Sequence, residues 1–349
     1  MTVSVLQICP HDDPPFADLC HVYRLAVESL GCTCTTVILG RASGDAVQDA
    51  IYLGQPDLSK DRQVVQALHA ALKGEFALAI CHRYRAWRTL AKSRVDVTHR
   101  IVVAHEFGFF SRAIRRWHAR FASRTLFAGV SEAVTVELAA VARQAVTLPN
   151  ALDVEAMGRE LLSAKAALSE LGLTEGPLTL GVIGRLHAKK QPALARDGFL
   201  AANLPDSRIV FVGDGELAPG LRVDDSRVIF AGFVPRARRL LRAFDAVLLT
   251  TGGVEAFGMA ALEAMAAGVP VICQRVSGPL EVLGEHGIYY DEATPADVAR
   301  AIHRFAGDCD STGARARAML TRTQAKFSVP ALARHLATLP GIPSIGKGE

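Results

Sequence analysis

The sequence has no uncharged apolar run near the roughly 20 residues that a bilayer-spanning helix needs, although half of its 349 residues are hydrophobic and its mean hydropathy is +0.22. It does not open with a basic segment and a long apolar core, so MTVSVLQICP reads as a first strand rather than a secretory leader, and the expected location is the cytoplasm. The seven cysteines, Cys9, Cys20, Cys32, Cys34, Cys81, Cys273 and Cys309, are odd in number and form no C-x-x-C pair. That argues against a disulfide framework and a zinc site, and buried reduced thiols are expected. No D-x-D pair stands beside a strand end. A net charge of only +4 does not favour nucleic acid as a partner.

What the chain does have is strand and helix patterns alternating from end to end, over a length that suggests two domains. In the first half, strands are expected at Val3 to Cys9, Thr35 to Leu39, Leu78 to Cys81, Arg100 to Ala104 and Leu126 to Val130, with helices at Cys20 to Leu30 and Gln63 to Leu72. A second series starts near Leu178 with LTLGVIG and continues through RIVFVG, RVIFAG, DAVLLT and PVIC. Between them lie Pro149, the helix-like stretch Glu155 to Ser169 and the loop Gly172 to Pro177. The expected fold is therefore α/β: doubly wound parallel sheets in two domains, 1–150 and 151–325.

The most informative stretch is Thr250 to Ile272, TTGGVEAFGMAALEAMAAGVPVI. It reads as the end of a buried strand, a loop, a helix stopped by Gly268 and Pro270, and another strand. The first N-H groups of that helix, near Gly258, Met259 and Ala260, lack intrahelical partners and sit at the positive end of the dipole, where a diphosphate is favoured. Glu255 precedes the helix and Glu263 follows eight positions later, roughly 10 Å on at the helical rise. One carboxylate could hold sugar hydroxyls and the other a ribose. Earlier, the strand Thr179 to Ile183 runs into Gly184-Arg185-Leu-His-Ala-Lys-Lys190, a glycine turn with cations able to neutralise phosphate oxygens.

The string E-x-F-G-M-x-x-x-E-A-M-A-x-G-x-P-V-I resembles the nucleotide-sugar signature of the retaining GT-B glycosyltransferases of family 4, whose two Glu form an E-x7-E motif. The resemblance runs from about Val102 to Phe327 and is strongest between Leu178 and Gly287. It implies GT-B architecture, two Rossmann-like domains facing across a cleft, with a C-terminal helix from about 326 packing back on the first domain. It also implies transfer of a hexose from a nucleotide sugar, most often a UDP-sugar, to a glycan acceptor with retention of configuration and without a metal. A lipopolysaccharide core or another surface polysaccharide is the acceptor expected on that basis.

By the same resemblance, Arg185 and Lys190 match G-R-x-x-x-x-K and would face the diphosphate, and the backbone near Val234 would meet the base. His105, at the end of the strand VVAH, would lie beside the transferred sugar. Ser277-Gly-Pro-Leu-Glu281 is similar to the family's G-G-x-P-E loop and is read as structural. The loop Pro10 to Asp18 departs from the family's Gly-Gly turn, which leaves Asp12 or Asp13 as candidates for acceptor hydroxyls. A nucleotide-sugar epimerase of the same fold and a binding protein without turnover are the alternatives.

Finally, Phe109 to Arg124 interleaves five arginines, Arg112, Arg115, Arg116, Arg120 and Arg124, with Phe109, Phe110, Trp117 and Phe121. Such a segment suits an anionic inner-leaflet surface and a lipid-linked acceptor better than a nucleic acid.

Overall fold

The computed structural model describes residues 2–13, 15–42, 47–253, 255–308 and 312–340. Pro14 of the first loop, Cys309, Val254 and the last nine residues of the expected C-terminal helix lie outside that set. The chain divides into two compact units, residues 1–153 with 326–349, and residues 154–325.

The first unit holds strands β1 (Ser4–Cys9), β2 (Thr33–Ile38), β3 (Ile51–Tyr52), β4 (Glu75–His82), β5 (Asp96–Ala104), β6 (Thr125–Gly129) and β7 (Ala145–Thr147). They form one parallel sheet in the order β3-β2-β1-β4-β5-β6-β7. The central strands are continuous apolar runs because helices cover both faces. Thus Val5, Leu6, Ile8, Ile80 and Val102 are all fully buried.

Two strands are longer than the hydrophobic run predicts, since β4 starts at Glu75 and β5 at Asp96. At that end exposed Glu75 and Asp96 alternate with buried Phe76 and Val97. One face of the sheet meets solvent there, and the apolar run marks only the part covered on both sides. Within this unit the chain returns beside itself: Leu152 pairs with Ser328, Leu152 N-H donates to the Phe327 carbonyl at 2.8 Å, and the helix Val329–Ala337 packs on the helix Phe16–Glu28.

The second unit holds β8 (Leu178–Ile183), β9 (Ser207–Val212), β10 (Val228–Gly232), β11 (Ala246–Leu249), β12 (Val271–Gln274) and β13 (Ile288–Tyr290), again all parallel, in the order β10-β9-β8-β11-β12-β13. Its core joins Leu180, Phe199, Phe211, Leu248, Ile272 and Ile302. The two doubly wound parallel sheets are the Rossmann-like pair expected. The stretch Glu155 to Ser169 is two short helices, Val154–Glu160 and Ala164–Glu170, because Ser163 caps the second by accepting from Ala166 N-H at 3.3 Å. Among the described residues no helix is long and apolar enough to cross a membrane.

Candidate active site

In the second sheet the chain winds outward from β8 through β9 to β10, then returns to β11 and winds the other way. The loops leaving β8 and β11 therefore flank the reversal point, where open parallel sheets bind ligands. They are tied together. The Thr250 hydroxyl donates to the carbonyls of Lys190 and Gln191 at 2.9 and 3.0 Å, and Gly252 N-H donates to the Lys189 carbonyl at 3.0 Å. This holds Lys190 Nζ 3.4 Å from Thr251 Oγ1 and 3.5 Å from Glu255 Oε2.

Lys190, Thr251, Glu255, Gly258 and Ala260 line one recess, and Arg185, Lys190, Thr250 and Thr251 line the one adjoining it. Arg185 is 76% exposed and leans toward Glu216, at 3.8 Å.

The helix Met259–Ala266 begins at this recess. Gly258 precedes it at φ 93°, a left-handed conformation that favours glycine, and no side chain caps the end. A diphosphate oxygen placed there would meet free-ended N-H groups and the positive dipole end together with Lys190. Ala261, Leu262, Ala264 and Met265 are buried, which anchors the helix at about 1.5 to 3 kcal/mol for each large side chain. Glu263, half-buried, is the only ionisable residue of the helix.

Two glycine positions make the approach of these loops possible, and one of them escaped sequence reading. Ser277–Leu283 is a helix rather than a loop, and a Cβ at Gly278 would stand 2.3 Å from the Glu255 carbonyl oxygen. The departure from G-G-x-P-E thus keeps the one glycine that lets this helix pass beneath Glu255. Likewise, a Cβ at Gly215 would lie 2.3 Å from the Leu186 carbonyl oxygen, so the Gly-Asp-Gly turn supports the basic loop from below. Val234 follows β10, two strands from β8, and lines neither recess.

In the first unit, His105 leaves the end of β5 and belongs to a chain of polar groups. Gln7 Nε2 lies 3.0 Å from His82 Nε2, and His82 Nδ1 lies 3.0 Å from His105 Nε2. The Thr36 hydroxyl donates to Gln7 Oε1 at 3.1 Å. That leaves the amide NH2 to donate to His82, which fixes His82 as the Nδ1-H tautomer and makes His105 Nε2 an acceptor. His105 can then present only Nδ1-H, a buried atom outside this chain. Burial holds His82 down at about 3. His105 is held well below the usual histidine range, first by burial and then by the nearby His82 and Arg83, with Asn150 opposing. Both rings are neutral at pH 7.

Two sequence readings need correction here. Asp12 is buried and accepts from the Tyr52 hydroxyl at 2.8 Å, so it braces the first loop and does not reach for acceptor hydroxyls. Phe109 and Phe110 are 4% exposed and meet Phe127 edge to face in the core. The exposed face of the helix Ala113–Arg120 and its C-cap is instead Ile114, Trp117 and Phe121, at 55%, 57% and 68%. Arg115 turns inward, donating to the Phe109 carbonyl at 3.1 Å. Among the described residues no group of His, Cys, Asp and Glu is arranged to hold a metal ion, and the six described cysteines are free thiols.

Residues 177–308, which contain both recesses, match the family model described as glycosyl transferases group 1. The chain is 28% identical over 211 residues to a 2-deoxystreptamine glucosyltransferase of Streptomyces kanamyceticus, covering 56% of this chain and 54% of that protein. It is 35% identical over 116 residues to the lipopolysaccharide core biosynthesis glycosyltransferase LpsE of Rhizobium meliloti, covering 31% and 34%. The matched stretches thus span about half of the first relative's length and a third of the second's. The fold is that of Anabaena Alr3699/HepE, solved in complex with UDP and glucose, with a TM-score of 0.73 at 19% identity over 95% of this chain and 98% of that one.

Proposed function

We propose that this chain is a group 1 glycosyltransferase of GT-B fold that moves a hexose from a UDP-sugar to a glycan acceptor with retention of configuration and without a metal. One observation carries the reading: Lys190 and Glu255 meet beside the uncapped N-terminus of Met259–Ala266, at the reversal point of the second sheet. There the diphosphate would be met by Lys190, Arg185 and the N-H groups of Met259 and Ala260. These groups carry the charge that develops on the leaving nucleotide. Glu255 would hold the transferred sugar and Glu263 the ribose, with Val234 near the base. His105 would lie beside the transferred sugar.

No carboxylate in either recess is placed as a separate nucleophile, since Glu255 is engaged with Lys190. Departure and attack on one face of the sugar is therefore the mechanism to prefer. The relative named for lipopolysaccharide core biosynthesis supports a glycan acceptor, and a surface-polysaccharide acceptor borne on lipid is the form proposed. The exposed Ile114, Trp117 and Phe121, set among Arg112, Arg116 and Arg120, support docking on an anionic lipid surface.

The test is calorimetry with UDP followed by proton NMR of products from UDP-hexoses. Binding of UDP with slow release of hexose of unchanged anomeric configuration supports the proposal. An epimerised UDP-sugar formed without acceptor would replace it with the epimerase reading.

A further inference from the structure

The first sheet also reverses direction, between β1 and β4, and a cavity of about 280 Å³ opens at that point, lined by His11, Arg83, Tyr84, His105, Glu106 and Arg115 among others. We propose that this cavity is a phosphate subsite, with Arg83 and Arg115 as its anion-binding residues. Resting on the transferase reading, it assigns the acceptor to a class: a phosphate ester or diphosphate.

The cavity's charge is cationic and not cancelled from within. Arg85, also in its wall, is bound to Asp61, which Lys92 contacts as well, so that cluster balances itself. Arg83 and Arg115 make no ion pair with any described carboxylate, and Glu106 is the one carboxylate in the lining. Both guanidinium groups are set by aromatic faces, Arg83 at 4.4 Å over Phe16 and Arg115 at 4.7 Å over Tyr84. Stacking of this kind fixes the plane of an arginine while leaving N-H groups for an oxyanion: Arg83 spends none on an acceptor among the described residues, and Arg115 donates from one nitrogen to the Phe109 carbonyl at 3.1 Å and keeps its remaining donors.

Arg83 carries two further marks. Its Nε is buried without a hydrogen-bond partner, a costly state for a charged donor. Its backbone sits at φ 70°, a conformation that a non-glycine residue adopts only under constraint. Both are accounted for if the residue is positioned for an anion. The neutral His105 on the same wall adds no competing charge. A phosphate with its three acceptor oxygens matches two forked donors better than a neutral sugar does.

The experiment titrates inorganic phosphate by calorimetry into protein already saturated with UDP, so that the nucleotide site is filled. Phosphate binding that weakens about tenfold or more in Arg83→Gln and in Arg115→Gln, with UDP affinity unchanged, is expected. Partial recovery in Arg83→Lys separates charge from packing, and Arg115→Gln stands as the second variant should Arg83→Gln unfold. Glucose 6-phosphate and dodecyl phosphate as further probes distinguish a soluble acceptor from a lipid-borne one. No binding of phosphate to the UDP complex, or equal binding by both variants, overturns the subsite. Failure of UDP itself to bind overturns the transferase reading instead, and leaves the phosphate result to be judged alone.

Discussion

Lys190 Nζ lies 3.5 Å from Glu255 Oε2 and 3.4 Å from Thr251 Oγ1, so the cation proposed for the diphosphate and the carboxylate proposed for the sugar share one cluster. Both side chains are partly exposed, 37% and 25%, and such a pair adds about 0 to 1 kcal/mol to stability. Substitution there reads out on function with little effect on folding.

Glu255→Ala is accordingly expected to lower turnover, and Glu263→Ala to weaken UDP binding, each by about 1.5 to 3 kcal/mol. Calorimetry and donor hydrolysis measure the two effects separately. Both variants behaving as wild type would remove these residues from the site.

Gly278→Val should displace the Glu255 loop, since a Cβ there lies 2.3 Å from the Glu255 carbonyl oxygen. Overpacking of this kind costs about 1 to 3 kcal/mol. Donor hydrolysis should fall more than the urea midpoint suggests. Unchanged hydrolysis would mean that the helix Ser277–Leu283 shifts without moving Glu255.

Stability should depend on pH through His82, held at about 3 by burial. The folded protein takes up fewer protons than the unfolded chain below the unfolded value near 6.5, so stability is full above that value and falls as pH drops toward the folded one. At pH 5 the loss from this group is about 2 kcal/mol. Urea unfolding at pH 7 and 5 should show a smaller stability difference for His82→Gln than for wild type; an equal difference would assign the acid sensitivity elsewhere.

Turnover should persist in excess chelator, because the groups proposed to face the diphosphate belong to the protein. Activity lost to chelator and restored by magnesium would count against the roles of Arg185 and Lys190.

Wild type should sediment with anionic vesicles at low salt, each basic residue near the surface contributing about 1 kcal/mol. Replacing Arg112, Arg116 and Arg120 with Ser should release it, as should Trp117→Ser with Phe121→Ser, because those rings are the exposed ones. Vesicle binding that survives both sets of changes would make the face a solvated surface.

The sheets and the second-unit cluster were legible because their signals are local. Apolar runs mark doubly covered strands, and Glu255, Gly258 and Lys190 lie at strand ends where a loop must turn. What stayed hidden depends on packing between distant segments. Gly278 looks like an ordinary loop glycine until Ser277–Leu283 is seen against Glu255. Arg115 looks like one more surface arginine until it is found over Tyr84. Arg83 gave a faint signal, a basic pair in His82-Arg-Tyr-Arg85 at a strand end, but neither its unpaired Nε nor its backbone conformation is visible in one dimension.

The pairing of Leu152 with Ser328 has a consequence for how the molecule is assembled. Residues 154–325 are one uninterrupted stretch, whereas the first unit is completed only by residues after 325. During synthesis the second unit can close while the first still lacks the helix Val329–Ala337 that covers Phe16–Glu28. The earliest-made half of the chain is therefore the last to be finished, and a truncation ending at residue 325 would leave an intact second unit joined to an N-terminal half with its helix layer open.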